Sequence, residues 1–136
     1  MRGAEKMNEK PKIVVLCGSS RFVEIMAVCA WLIEKEEGAI ALGLHLLPGW
    51  YSFSKVPHHL AEHEGVADQM DELHLRKIDL ADEVFVVNYH GYMGDSTRRE
   101  INYALEKKRR IRLFTEDPIG EAVQSKINWW CAEGGS

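Results

Sequence analysis

No apolar run in the chain approaches the roughly 20 residues that a membrane-spanning helix needs, so no such helix is expected. The opening MRGAEKMNEKPK is charged and lacks the apolar segment of a signal peptide. Cysteine is scarce and odd in number: Cys17, Cys29 and Cys131 form no CxxC pair, so neither a disulfide framework nor a cysteine-rich zinc module is expected. These three read as buried or incidental thiols of a reducing, cytoplasmic protein. A basic excess is missing too, because 17 Lys and Arg face 21 Asp and Glu for a formal charge of −4. That balance argues against a general nucleic-acid binder. The local KKRR cluster, Lys107 to Arg110, is explained by helix-end cations that complement a helix dipole. Internal repeats and low-complexity tracts are absent.

What is present is ordinary for a folded globular chain: 136 residues, 46% apolar and 28% charged. The length suits one domain with a core of its own. Residues 1–11 are expected to be a flexible leader, and 12–136 a single α/β domain.

The first apolar run, Ile13 to Leu16 in KIVVLCGSS, stops at Gly18 and predicts a buried strand followed by a tight turn. Phe22, Met26, Cys29 and Leu32–Ile33 then recur at helical spacing, and Gly38 suits the C-terminal cap. AIALGLHLL predicts a second strand ended by Pro48–Gly49, and WYSFSKVPHH a loop over one end of the sheet. A helical pattern runs from about His58 to Ala81, with a break near Gly65. DEVFVVN predicts a third strand, and Asp95 or Ser96 is expected to cap a helix reaching about Lys108. RIRLFT predicts a fourth strand, and Glu121 to Trp130 a last helix.

Strands alternating with helices predict a flavodoxin- or Rossmann-like three-layer sandwich with a small, mostly parallel sheet of 4–5 strands. Such sheets bind ligands beyond the carboxyl ends of their strands. Three places qualify: Gly18 to Arg21, Pro48 to Pro57, and Asn88 to Thr97. In the first, Gly18, Ser19 and Ser20 at a helix start offer free N–H donors, and Arg21 adds a fork suited to phosphate. A serine N-cap beside a solvated arginine would read the same way. In the third, Gly91 and Gly94 permit close backbone approach or positive φ. Just behind that loop stands Glu100, either a solvated helix charge or a carboxylate nucleophile or base at the sheet edge. Trp50, Tyr51 and Phe53 can stack a nucleobase or close the loop onto the core. His59 and His63 are spaced i,i+4, but without HExxH or a third ligand they read as exposed or pocket-lining imidazoles.

KIVVLCGSSRF together with LADEVFVVN…GDSTRREINYA resembles the nucleoside 2-deoxyribosyltransferase superfamily, including the 2′-deoxynucleoside 5′-phosphate N-hydrolases, over roughly residues 12 to 115. The resemblance implies a flavodoxin-like fold and places Glu100 of REINYA on the family nucleophile that attacks C1′. It implies that Ser19 and Arg21 of CGSSR contact a 5′-phosphate, with Cys17, Gly18, Ser20, Asn88, Gly91, Gly94, Asp95 and Ser96 around the substrate and Trp50 over the base. Where the family carries an aspartate eight residues before the one opening the third strand, this chain has His74, which can donate a proton near neutral pH. Asp71 or Asp79 serves instead if the helix register differs. Asn102 replaces a family glycine. A small nucleoside or nucleotide ligand, no metal or organic cofactor, and a homo-oligomer are expected. The GDSTRRE segment is also similar to the motif of the lonely-guy-type phosphoribohydrolases, although their PGG is missing. A nucleotide sensor of the same fold that has lost catalysis, and a bare structural or adaptor role, are the remaining alternatives.

Overall fold

The computed structural model describes residues 9–45, 51 and 65–134. Strand β1 (Ile13–Gly18) leads into a 3-10 turn (Ser20–Phe22) and helix α1 (Val23–Glu37), followed by β2 (Ile40–Leu42). Helix α2 (Ala67–Leu80) precedes β3 (Glu83–Val87), a second 3-10 turn (Tyr89–Gly91) and α3 (Asp95–Glu106); β4 (Arg110–Leu113) and α4 (Pro118–Ala132) complete the described chain. The four strands form one sheet in the order β2-β1-β3-β4, every pairing parallel. This is the expected Rossmann- or flavodoxin-like sandwich. Among the described residues, no helix is long and apolar enough to cross a membrane.

Alternation along β1 and β3 builds the two halves of the core, since successive strand residues point to opposite faces. Val14, Leu16, Phe85 and Val87 meet Met26, Cys29 and Ile33 of α1 and Ile119 and Val123 of α4. Val15, Cys17, Val84 and Val86 face the other way, against Ile78 and Ala81 at the end of α2 and Ala104 of α3. Cys17 therefore belongs to the α2/α3 side.

The predicted helix over α1 is present, and Gly38 closes it by donating its N–H to the Glu34 carbonyl at 3.0 Å. Other boundaries move. The second strand is only three residues long and Ile40 is exposed, because β2 is an edge strand paired on one side alone. The fourth strand ends at Leu113, before the predicted Thr115, where the chain turns toward α4. Helix α2 begins at Ala67, just after Gly65 with its φ of 75°, and the earlier part of the predicted helix, residues 58–64, lies outside the described residues. The last helix starts earlier than predicted, because Asp117 caps it by accepting from the Ile119 N–H at 3.0 Å and Pro118 occupies its first position.

The KKRR cluster is consumed locally. Arg109 donates to the carbonyls of Ile78 (3.3 Å) and Asp79 (2.9 Å) at the end of α2, so it neutralises the negative pole of a neighbouring helix. Arg110 pairs with Glu83 at 3.1 Å.

Gly120 is a steric requirement. A Cβ there would lie 2.6 Å from the Phe114 carbonyl carbon and closer still to its oxygen, so α4 could not approach the end of β4. Gly120→Ala is expected to cost about 3 kcal/mol, lowering the melting temperature by about 10 °C. A thermal melt followed by circular dichroism checks this; an unchanged melting temperature contradicts it.

Candidate functional site

The strand order reverses between β1 and β3: the chain leaves β1 toward β2 and later returns to β3 on β1's other side. Crevices of α/β sheets open at such a switch, beyond the carboxyl ends of the strands. Gly18 and Val87 are register partners there, so the loops after β1 and β3 emerge side by side.

In the β1 loop, Ser19 accepts a hydrogen bond from the Arg21 N–H at 3.3 Å and caps the 3-10 turn. The Arg21 guanidinium stands 4.3 Å from the Tyr92 ring centroid, while Phe22 meets Tyr89 and Tyr92 edge-on at 5.6 and 5.8 Å. These contacts tie the CGSSR turn to the β3 loop. Two successive left-handed residues, His90 (φ 55°) and Gly91 (φ 75°), reverse the β3 loop ahead of Tyr92. Asn88 is buried and engaged with Thr115: it donates to the Thr115 hydroxyl at 3.0 Å and accepts from the Thr115 N–H at 3.2 Å.

The expected cap of α3 is not what forms. Asp95 is the first residue of the helix, and Gly94 occupies the N-cap with extended backbone and no side-chain cap bond. Having helical backbone, Asp95 and Ser96 turn outward; Ser96 accepts instead from Arg99 at 3.2 Å. Arg98 and Arg99 are solvated.

Glu100 is not a solvated charge. It shares the inward stripe of α3 with Thr97 and Ala104 and is only 9% exposed. Burial is the main reason its carboxyl is pushed up to about 7; a hydrogen bond from Cys17 opposes this, Asp71 adds to it and Arg99 relieves it. Oxygen Oε1 is buried without a hydrogen-bond partner.

Two side chains close on this carboxylate. His74 of α2, 3% exposed, places Nε2 3.7 Å from Glu100 Oε1 and 3.4 Å from Cys17 Sγ. Helix register thus brings His74 to Glu100. Asp79, by contrast, accepts from the Tyr103 hydroxyl at 2.6 Å and from Arg76, and Asp71 is exposed beside Arg99. The expectation that His74 donates a proton near neutral pH is corrected. Burial, with Lys77 and His45 adding to it, lowers its pKa to about 4; the Leu16 backbone pulls the other way without making a hydrogen bond to Nδ1. The ring is neutral at pH 7.

Cys17 is fully buried and its thiol is held well above its ordinary pKa, first by burial and then by the Glu100 charge and hydrogen bond. Nothing in CGSSR singled it out beyond the phosphate turn. The available signal was strand alternation, which sends Cys17 to the same sheet face as Val15 and Val86, where α2 and α3 lie. His74 also borders a cavity of about 330 Å³ lined by Leu44, His45, Met70, Leu73 and Lys77. Trp50 and Phe53, with His58, His59 and His63, lie outside the described residues; Tyr51 is exposed.

Neither a protein-family model nor a curated protein matches this chain, so its functional reading stands on the site itself.

Proposed function

We propose that this protein cleaves, or transfers at, the N-glycosidic bond of a (deoxy)nucleoside or its 5′-monophosphate, with Glu100 as the nucleophile at C1′. One observation carries the reading: at the switch point of a parallel sheet, a nearly buried carboxylate with an unpartnered oxygen stands behind a glycine–serine–arginine turn. A carboxylate so placed has lost most of its hydration, which favours bond formation to an electron-poor sugar carbon.

In the proposed reaction a Glu100 oxygen bonds to C1′ while the C1′–N bond breaks and its electron pair leaves with the base, which takes a proton. Water, or a second base, then attacks C1′ and releases the carboxylate. Gly18, Ser19, Ser20 and Arg21 face the 5′-oxygen or 5′-phosphate. Exposed Asp95, at the start of α3, supplies the hydrogen bond or proton on the open side. The Cys17 thiol holds the Glu100 carboxylate in place, and neutral His74 stands 3.7 Å from its Oε1. The cavity beside His74 offers room for the base. Exposed Trp129 and Trp130 are proposed to meet a second copy, and light scattering reads that state directly. Free thiols at Cys17, Cys29 and Cys131 suit the proposed reducing, cytoplasmic setting.

The test is a panel of nucleosides and 5′-monophosphates, incubated with and without an acceptor base in the presence of a chelator and followed by chromatography. Free or exchanged base is expected from the wild type. Calorimetric binding of a nucleotide with no base released over hours would instead establish a sensor, and neither binding nor release sinks both.

A further inference from the structure

Cys17 Sγ, His74 Nε2 and Glu100 Oε1 do not have the geometry of a proton relay. In a relay the acid holds one imidazole nitrogen and the nucleophile faces the other. Here sulfur and carboxylate both approach Nε2, at 3.4 and 3.7 Å, while Nδ1 lies on the far side of the ring without a hydrogen bond. The three donor atoms lie within 4.8 Å of one another. They come from three different elements, β1, α2 and α3, that pack on one another.

Convergence of this kind suits a metal ion. Zinc in a tetrahedral shell sits ~2.3 Å from sulfur and ~2.0–2.1 Å from nitrogen or oxygen, which separates its ligand atoms by roughly 3.3–3.6 Å. The two contacts to Nε2 fall close to those edges. The donor set of one thiolate, one imidazole and one carboxylate is of borderline softness, which matches zinc and disfavours magnesium or calcium. A second observation points the same way: Glu100 Oε1 is buried, aimed at the cluster and otherwise unpartnered.

We propose that Cys17, His74 and Glu100 form a three-ligand site for a divalent zinc-class ion, with the fourth position open. Binding exchanges a proton for the metal: the Cys17 S–H bond breaks, sulfur bonds to the ion, and the proton goes to solvent. Buried Cys17 and His74 enclose the ion from the sheet side, leaving entry past Glu100, the most accessible of the three. The proposal stands apart from the glycosidic reading. If both hold, zinc and C1′ compete for one oxygen, and zinc suppresses base release.

The experiment is titration of the full-length, chelator-treated protein with Co²⁺ as a spectroscopic stand-in, followed by displacement with Zn²⁺. Saturation at one ion per chain is expected, with the visible bands of a tetrahedral site, a near-ultraviolet thiolate-to-cobalt band, and proton release in weak buffer. Cys17→Ser should abolish the charge-transfer band, and His74→Ala should weaken binding more than ~100-fold, while Cys131→Ser changes neither. Circular dichroism on each variant separates lost ligands from lost fold, and Glu100→Gln supplies a third test at the most exposed ligand. Absence of saturable binding overturns the proposal. So does binding that persists unchanged in Cys17→Ser and His74→Ala but disappears when His59 and His63 are replaced. Neither outcome depends on whether base is released.

Discussion

Replacing Glu100 with glutamine is expected to abolish base release and, at the same time, to make the protein more stable. If Glu100 is the proposed nucleophile, loss of its carboxylate removes the attacking group, so the rate should fall by at least about 10³-fold, as expected for a covalent catalyst rather than a binding contact. The gain in stability has a different source. Glu100 is 9% exposed, with one oxygen unpartnered, and its pKa lies near 7 in the folded chain. A carboxylate whose folded pKa is raised above its unfolded value costs nothing at pH below the unfolded value, because both states are protonated. The cost grows as pH rises between the two pKa values and is complete above the folded one. Glutamine keeps the shape and stays neutral, so at pH 8, with chelator present, Glu100→Gln should gain about 1–2 kcal/mol, or about 3–7 °C in melting temperature. At pH 4 the two proteins should melt together. Thermal melts across this range decide it; a variant less stable than wild type at pH 8 would show that the buried charge is better solvated than its surroundings indicate. A stabilised, inactive variant is the mark of a group kept for function rather than for folding.

The second large effect lies at the opposite end of the fold. Arg112 on β4, 8% exposed, is the hub of an ion network. Its guanidinium donates to Glu37 at the end of α1 (2.6 and 2.9 Å), to Asp117, the cap of α4 (2.8 and 3.0 Å), and to Glu83 of β3 (3.2 Å). One cation thus joins two helix ends to the sheet, and no partner of it can be spared cheaply. Arg112→Met keeps much of the stem's volume but leaves three carboxylates clustered without their shared cation. That should cost about 3–5 kcal/mol, the range for a buried pair broken on one side.

The loss should depend on pH in the direction opposite to Glu100. Burial raises the Asp117 pKa, but Arg112 and the Ile119 N–H outweigh it and the net shift is downward; for Glu83 burial is likewise outweighed, by Lys12 and Arg110. Depressed carboxylates contribute stability that is present above their unfolded pKa and is lost as pH falls through the folded value. Of the two, only Asp117 owes its lowering to Arg112, so the gap between wild type and Arg112→Met should be widest near neutral pH and should shrink as the pH drops below about 4. Denaturant melts at several pH values check this; a gap that stays constant would mean packing, rather than charge, is what Arg112 supplies.

Glu100 was legible as a candidate from its place behind the third strand and from the REINYA resemblance, yet the letters around it allowed a solvated charge equally well. What decided its state is that α3 lies on the same face of the sheet as α2, with residues 97, 100 and 104 turned inward. Arg98 and Arg99, each next to a buried residue, point away for the same geometric reason. His74 was found by counting back from Asp82, but the role suggested for it assumed a water-like environment. Inside the sandwich, loss of hydration makes the charged ring unfavourable, and its proton affinity falls.

Local patterning alone determined the strands, the helices and their alternation, because strand and helix periods are written in nearest-neighbour chemistry: Ile13–Leu16 as an apolar run, Met26, Cys29 and Ile33 at helical spacing, Gly38 at the helix end. It also determined that the loops after β1 and β3 would meet at the carboxyl edge, since a parallel sheet leaves little choice. Tertiary structure alone decided which side chains would share one small volume. Cys17, His74 and Glu100 are 57 and 26 residues apart in the chain, and their meeting depends on the hand of two crossovers and on which face of each element is buried. Those are properties of the packed sheet and of the water it excludes, and no window of sequence contains them.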